Sequence, residues 1–193
     1  MGLTITVQPT SEPVTVDELR AHLRLDSSDF DAELTRLITA ARKSCEARLK
    51  RQLINATYQW TMDYWPGYCM EVPQGPLSSV TSIKYYDSDG TLQTWDSSNY
   101  QVDTTTLYGT VTLADNATYP TLETGKKNAV LVTFVAGYGA SASYVPENVK
   151  QAILVLAGHW FETSVPVVVG QTANEIPLHI EWMLNPDAVP ETY

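Results

Sequence analysis

The side chains able to do chemistry are few and widely spaced in this chain of 193 residues. Asp87 and Asp89 stand two apart in Asp87-Ser88-Asp89-Gly90, a spacing that suits a carboxylate pair or the start of a calcium loop. The loop lacks a bidentate Glu at its far end, and Gly90 marks a hairpin tip, where an exposed carboxyl keeps a low pKa. A hydrolase built on Asp87 and Asp89 would lose activity on Asp→Asn change, but the hairpin explains both residues. Gly139-Ala140-Ser141-Ala142-Ser143 starts like a nucleophile elbow and lacks the second glycine. Gly137-Tyr138-Gly139 has neither the Lys and Ser/Thr of a phosphate loop nor the spacing of a dinucleotide fingerprint, and fits a strand-to-helix turn. His22, His159 and His179 are far apart, and none pairs with a cysteine at ligand spacing. Cys45 and Cys69 read as free thiols, with a single disulfide left open. No enzyme, metal or cofactor is expected.

Twelve basic residues against 22 acidic ones give a net charge of −10. The imbalance is a shortage of bases: charged residues make up 18% of the chain, below the usual value of about 25%. Such a surface argues against broad duplex binding, which needs many phosphate-neutralising cations. The charge is unevenly placed. Residues 1–51 balance, whereas residues 52–193 carry only Lys84, Lys126, Lys127 and Lys150 among their bases. Arg42, Lys43, Arg48, Lys50 and Arg51 face only Glu46 in their own stretch, and they form a candidate subunit interface. No signal peptide or membrane span is expected: the start lacks a charged and then apolar leader, and residues 152–157 are far short of the ~20 needed to cross a bilayer.

The elements that must carry these residues follow from periodicity. Thr15-Val16-Asp17-Glu18 has the form of a capping box and predicts a short helix to about Leu23. Ser28 with Asp31 predicts a second cap, ahead of Phe30, Leu34, Leu37, Ile38, Ala41, Cys45 and Leu49 at helical spacing. The bases of residues 42–51 fall largely outside that stripe, at an end where cations suit the helix dipole. From Thr57 the period becomes two, with Tyr58, Trp60, Met62 and Tyr64 alternating against polar neighbours. Further short strands are predicted around Val80 to Tyr86 and over residues 92–95, 100–103, 109–113 and 129–135. Pro146 suits the first turn of a helix that buries Val149, Ile153, Leu156, Ala157 and Trp160. Residues 163–175 read as a loop, and a last short helix over about residues 177–184 stops at Asn185-Pro186. The fold class is α+β. Residues 1–54 and 141–193 supply a helical core, and residues 55–140 an inserted small antiparallel β region, together one compact unit.

Tyr and Trp make up 16 of the 19 aromatic residues, and many fall in the strand segments. Such side chains suit interfaces and also favour strands. Val165, Val167, Val168 and Val169 form an apolar run in a loop, and with Trp182 and Tyr193 they make a candidate partner-binding loop and tail. The alternative function is a carbohydrate-binding β module using Trp60, Trp65 and Trp95 as exposed stacking platforms.

Residues 13–24, Pro-Val-Thr-Val-Asp-Glu-Leu-Arg-Ala-His-Leu-Arg, resemble the opening of the head–tail connector (neck adaptor) proteins of long-tailed bacteriophages. Residues 76–87, from Pro76-Leu77 into a strand, are similar to their proline–leucine segment. Phe134-Val135-Ala136-Gly137-Tyr138-Gly139, followed by Val145-Pro146-Glu147, resembles their glycine turn and following helix. Ile176-Pro177-Leu178 with Trp182-Met183-Leu184-Asn185-Pro186 is similar to their terminal helix. The resemblance implies a structural virion protein of the neck, made in the host cytoplasm. It implies a ring, commonly of twelve copies, beneath the portal protein, with a stopper or tail-completion protein below. DNA would pass through without specific binding, and no membrane is involved.

Overall fold

The computed structural model describes residues 1–106, 108–164, 180 and 183–187. The chain divides into two units: Met1–Pro9 with Asn55–Tyr138, and Thr10–Ile54 with Gly139–Tyr193. The first nine residues, placed with the helices by the sequence, belong to the sheet unit.

The sheet unit holds β1 (Gly2–Val7), β2 (Ala56–Met62), β3 (Cys69–Glu71), β4 (Leu77–Tyr86), β5 (Leu92–Trp95), β6 (Tyr100–Asp103), β7 (Thr110–Leu113) and β8 (Val130–Ala136). Five strands form an antiparallel sheet in the order β1-β2-β8-β4-β5, and three form a second in the order β3-β7-β6. The alternation in β2 buries Ala56, Tyr58, Trp60 and Met62 on one face, opposite Ala136, Phe134, Val132 and Val130 of β8. Tyr58 and Phe134 stack with ring centroids 5.4 Å apart. Tyr64 lies beyond the end of β2 and is exposed, because the strand stops at Met62. β1 and β3 are additional to the expected strands. Gly137 closes β8 at φ 145°, and a Cβ there would meet the Asn55 nitrogen at 2.6 Å, so the turn demands glycine.

The helical unit holds α1 (Val16–Leu23), α2 (Asp31–Leu49) and α3 (Glu147–Ser164). The capping box forms in full: the Glu18 N–H donates to the Thr15 hydroxyl at 3.2 Å, and the Thr15 N–H donates to the Glu18 carboxylate at 2.7 Å. Those two Thr15 groups hold the Glu18 carboxyl below its ordinary pKa. The second expected cap does not form. Phe30 occupies the N-cap of α2 with no side-chain bond, and the Asp31 carboxylate is taken instead by Arg20, whose Nη2 donates at 2.7 and 2.8 Å. Pro146 immediately precedes α3, and its carbonyl accepts from the Val149 and Lys150 N–H groups. Leu19, Leu34, Ile38, Ala41, Cys45, Leu49, Val149, Ala152, Ile153 and Ala157 are fully buried, and Phe30 meets Phe161 edge-on at 5.4 Å. Of the expected last helix, residues 177–179, 181 and 182 lie outside the described residues.

Candidate functional site

The basic end of α2 divides into two kinds of residue. Arg42 is only 4% exposed. Its Nε donates to Glu12 at 2.7 Å and its Nη1 to Glu46 at 2.8 Å. Glu46 in turn accepts from Gln52 Nε2 at 2.7 Å and from the Leu53 N–H at 3.1 Å. Burial works against the Arg42 charge, but Glu12 and Glu46 outweigh it and raise its pKa. Burial also pushes the Glu46 carboxyl up, opposed by Arg42 and the Leu53 N–H. Arg42 therefore leaves the candidate subunit interface, because its charge is spent on internal carboxylates. Lys43, Arg48 and Lys50 remain exposed at the end of α2, and Arg51 is half-buried.

This network has neighbours at each place where the chain passes between units. The Ser11 hydroxyl donates to the Ala140 carbonyl at 3.1 Å, and Ile54 pairs with Gly139 in an isolated parallel bridge. Residues 11–12, 52–54 and 139–140 are thus tied together within the helical unit.

The tryptophans expected on the surface are mostly interior. Trp60 and Trp95 are 5% and 6% exposed, and Trp65 is half-buried. Trp65, Trp95, Tyr100 and Tyr119 form a packed ring cluster with centroids 4.7 to 5.4 Å apart. Trp65 Nε1 donates to the Pro120 carbonyl at 3.0 Å. Rings spent on one another offer no open stacking platform for a sugar, which removes the support for the carbohydrate reading. Asp87 is a turn staple: its carboxylate accepts from Gln93 Nε2 and from the Thr91 and Asp89 N–H groups, all of which lower its pKa. A carboxyl held ionised in this way is a poor proton donor.

Cys45 and Cys69 are both free, the first buried and the second exposed. Burial pushes the Cys45 thiol up to about 12, so it is inert as a nucleophile. It borders a concavity of about 150 Å³ lined also by Arg48, Leu156, Trp160, Ile180 and Leu184. Among the described residues, no three His, Cys, Asp or Glu side chains are grouped to hold a metal, and no helix is long and apolar enough to cross a membrane. Val165, Val167, Val168, Val169, Trp182 and Tyr193 lie outside the described residues.

The surface that sequence reasoning missed is β1. It is an edge strand, and all six of its residues are exposed. Leu3, Ile5 and Val7 are 39%, 43% and 54% exposed. The signal was present in the alternation of Leu3, Ile5 and Val7 with Thr4 and Thr6.

A family model described as head completion protein matches residues 12–186. The chain belongs to the head completion protein family. Solved structures share its fold along its whole length. The neck of an empty gene transfer agent particle, computed with C6 symmetry, contains a chain 24% identical with a TM-score of 0.81. The virion of a native gene transfer agent particle gives 24% and 0.79, and the neck of a native particle computed with C12 symmetry gives 23% and 0.77. Each match covers 100% of this chain and 98% of the other. No curated protein matches the chain.

Proposed function

We propose that this head completion protein is a structural component of the head–tail neck of a virion, where copies of it form a ring joining the capsid to the tail. The observation that carries the reading is the family match over residues 12–186, supported by a fold shared end to end with chains from particle necks. The role is mechanical rather than catalytic. The ring has twelve copies, docks beneath a portal protein and receives a stopper or tail-completion protein below. Lys43, Arg48, Lys50 and Arg51 serve as a contact between copies. The segments holding Val165, Val167, Val168, Val169, Trp182 and Tyr193 serve as partner-binding loop and tail. The acidic, lysine-poor stretch after residue 51 suits a channel wall, because like charge keeps passing DNA from adhering.

Native mass spectrometry and electron microscopy, with and without purified portal protein, test the assembly. A twelve-fold ring, alone or on the portal, is the expected result. Failure to form either a ring or a portal complex overturns it.

A further inference from the structure

β1 presents an uncovered apolar edge. Its register places Leu3 beside Trp60 and Ile5 beside Tyr58, so both lie on the sheet face that carries the buried core side chains of β2 and β8. Yet the strand buries none of its own side chains. Within the chain it is held by its ladder to β2 and by the Thr4 and Thr6 hydroxyls, which donate to the Gln59 and Thr57 carbonyls. Exposed edges are normally guarded by lysine, proline or an inward charge. β1 has none of these, and its one irregularity is a register shift between Ile5 and Val7, which leaves Gly2 to Ile5 in regular pairing. The opposite edge, β5, is similar: Leu92, Gln93 and Thr94 are exposed, and Leu92 is 44% so.

Charge selects the occupant. Two copies of a chain carrying −10 repel each other, so contacts between copies are favoured where the surface is basic, as at the end of α2, or neutral. Residues 1–11 contain no ionisable side chain, and neither do residues 90–95, although acids flank the second segment at Asp89 and Asp96. The two sheet edges are thus both neutral in an acidic protein.

We infer that β1 of one copy pairs with β5 of the next, joining the sheets of neighbouring copies edge to edge. This rests on the ring reading above. A ring requires a head-to-tail contact between two different patches, and the two ends of one sheet supply such a pair. Each step across the five-stranded sheet is antiparallel, so β1 and β5 run in the same direction and their junction is parallel. Face parity then restricts the match to registers two residues apart. Thr94 shares a face with Lys84, Leu131, Thr61, Gln59 and Thr4, whereas Trp95 shares the core face with Ile83, Val132, Trp60 and Leu3. Among the registers this parity allows is one with Thr4 beside Thr94 of the next copy and Ile5 beside Trp95, which pairs every residue of β5 with β1. A dozen such sheets, at about 4.8 Å per strand, close a circle about 90 Å across.

Three variants test the junction in a Cys69→Ser background, which removes the exposed thiol. Thr4→Cys protein mixed with Thr94→Cys protein and oxidised is expected to give a covalent dimer containing one of each. Linkage of Thr4→Cys copies only to one another, or no linkage, overturns the pairing. Leu3→Lys/Ile5→Lys is expected to weaken self-association by about a hundredfold in sedimentation, with the melting midpoint of the isolated chain unchanged. Rings that persist undiminished in the double lysine variant overturn the strand junction and leave the ring standing. Wild-type protein that neither associates nor rings, with or without portal, overturns both.

Discussion

In the helical unit, α2 buries an arginine between Glu12 and Glu46. In the sheet unit, no charged side chain is buried among the described residues, and Phe134, Tyr58, Trp60 and Trp95 fill the interior. The difference lies in what each core specifies. Stacked rings and aliphatic side chains tolerate rearrangement as long as volume is kept. A buried ion network does not, because losing one partner leaves an uncompensated charge. The less forgiving arrangement stands where the chain passes between units, and it fixes residues 12 and 52–53 onto α2.

The largest effect is expected in the sheet. Phe134→Ala removes a fully buried ring from the central strand and should cost about 3–5 kcal/mol in urea unfolding. Amide protection should fall first in β2, β4 and β8. Next comes Arg42→Ala, expected to cost about 3 kcal/mol and to loosen residues 10–12 and 52–54 in hydrogen exchange. Converting Arg42, Glu12 and Glu46 together to Met, Gln and Gln should recover most of that loss. A triple variant as unstable as the single one would show that the helical core depends on packing alone, and the contrast between units would fall. The smallest effect separates the two by pH. Asp87 has a folded pKa below its unfolded one, so its contribution is present above about pH 4 and fades as pH falls through the folded value. Asp87→Asn should therefore differ from wild type at neutral pH and converge with it in acid. Glu46, raised by burial, contributes in the opposite sense.

Local signals were legible and distant ones were not. The Thr15 to Glu18 capping box, the bounds of β5 and β6 and the start of α3 after Pro146 all follow from neighbours within four residues. β1 had its own local alternation, but its place at the edge of the sheet depended on β2, fifty or more residues away. Arg42 shows the same limit. Leu34, Ile38, Arg42, Cys45 and Leu49 fall at core spacing, so position argued for burial, whereas residue type argued against it. What decides the matter is Glu12, thirty residues upstream. The family resemblance was readable because its motifs are turns, caps and helix starts, which are local. The assembly surface was not, since an edge becomes visible only once the other strands are in place.

The chain order of β1 sets a schedule for synthesis. β1 is made before α1 and α2, β2 follows only after them, and β8, which β2 and β4 both flank, spans Val130–Ala136. The helical unit waits longer still, for α3. Neither unit is complete when the other begins, so the nascent chain carries an unpaired apolar strand until β2 has been made. The absence of ionisable side chains in residues 1–11 then becomes a hazard as well as a binding property, and folding yield should depend on how quickly β2 and β8 arrive.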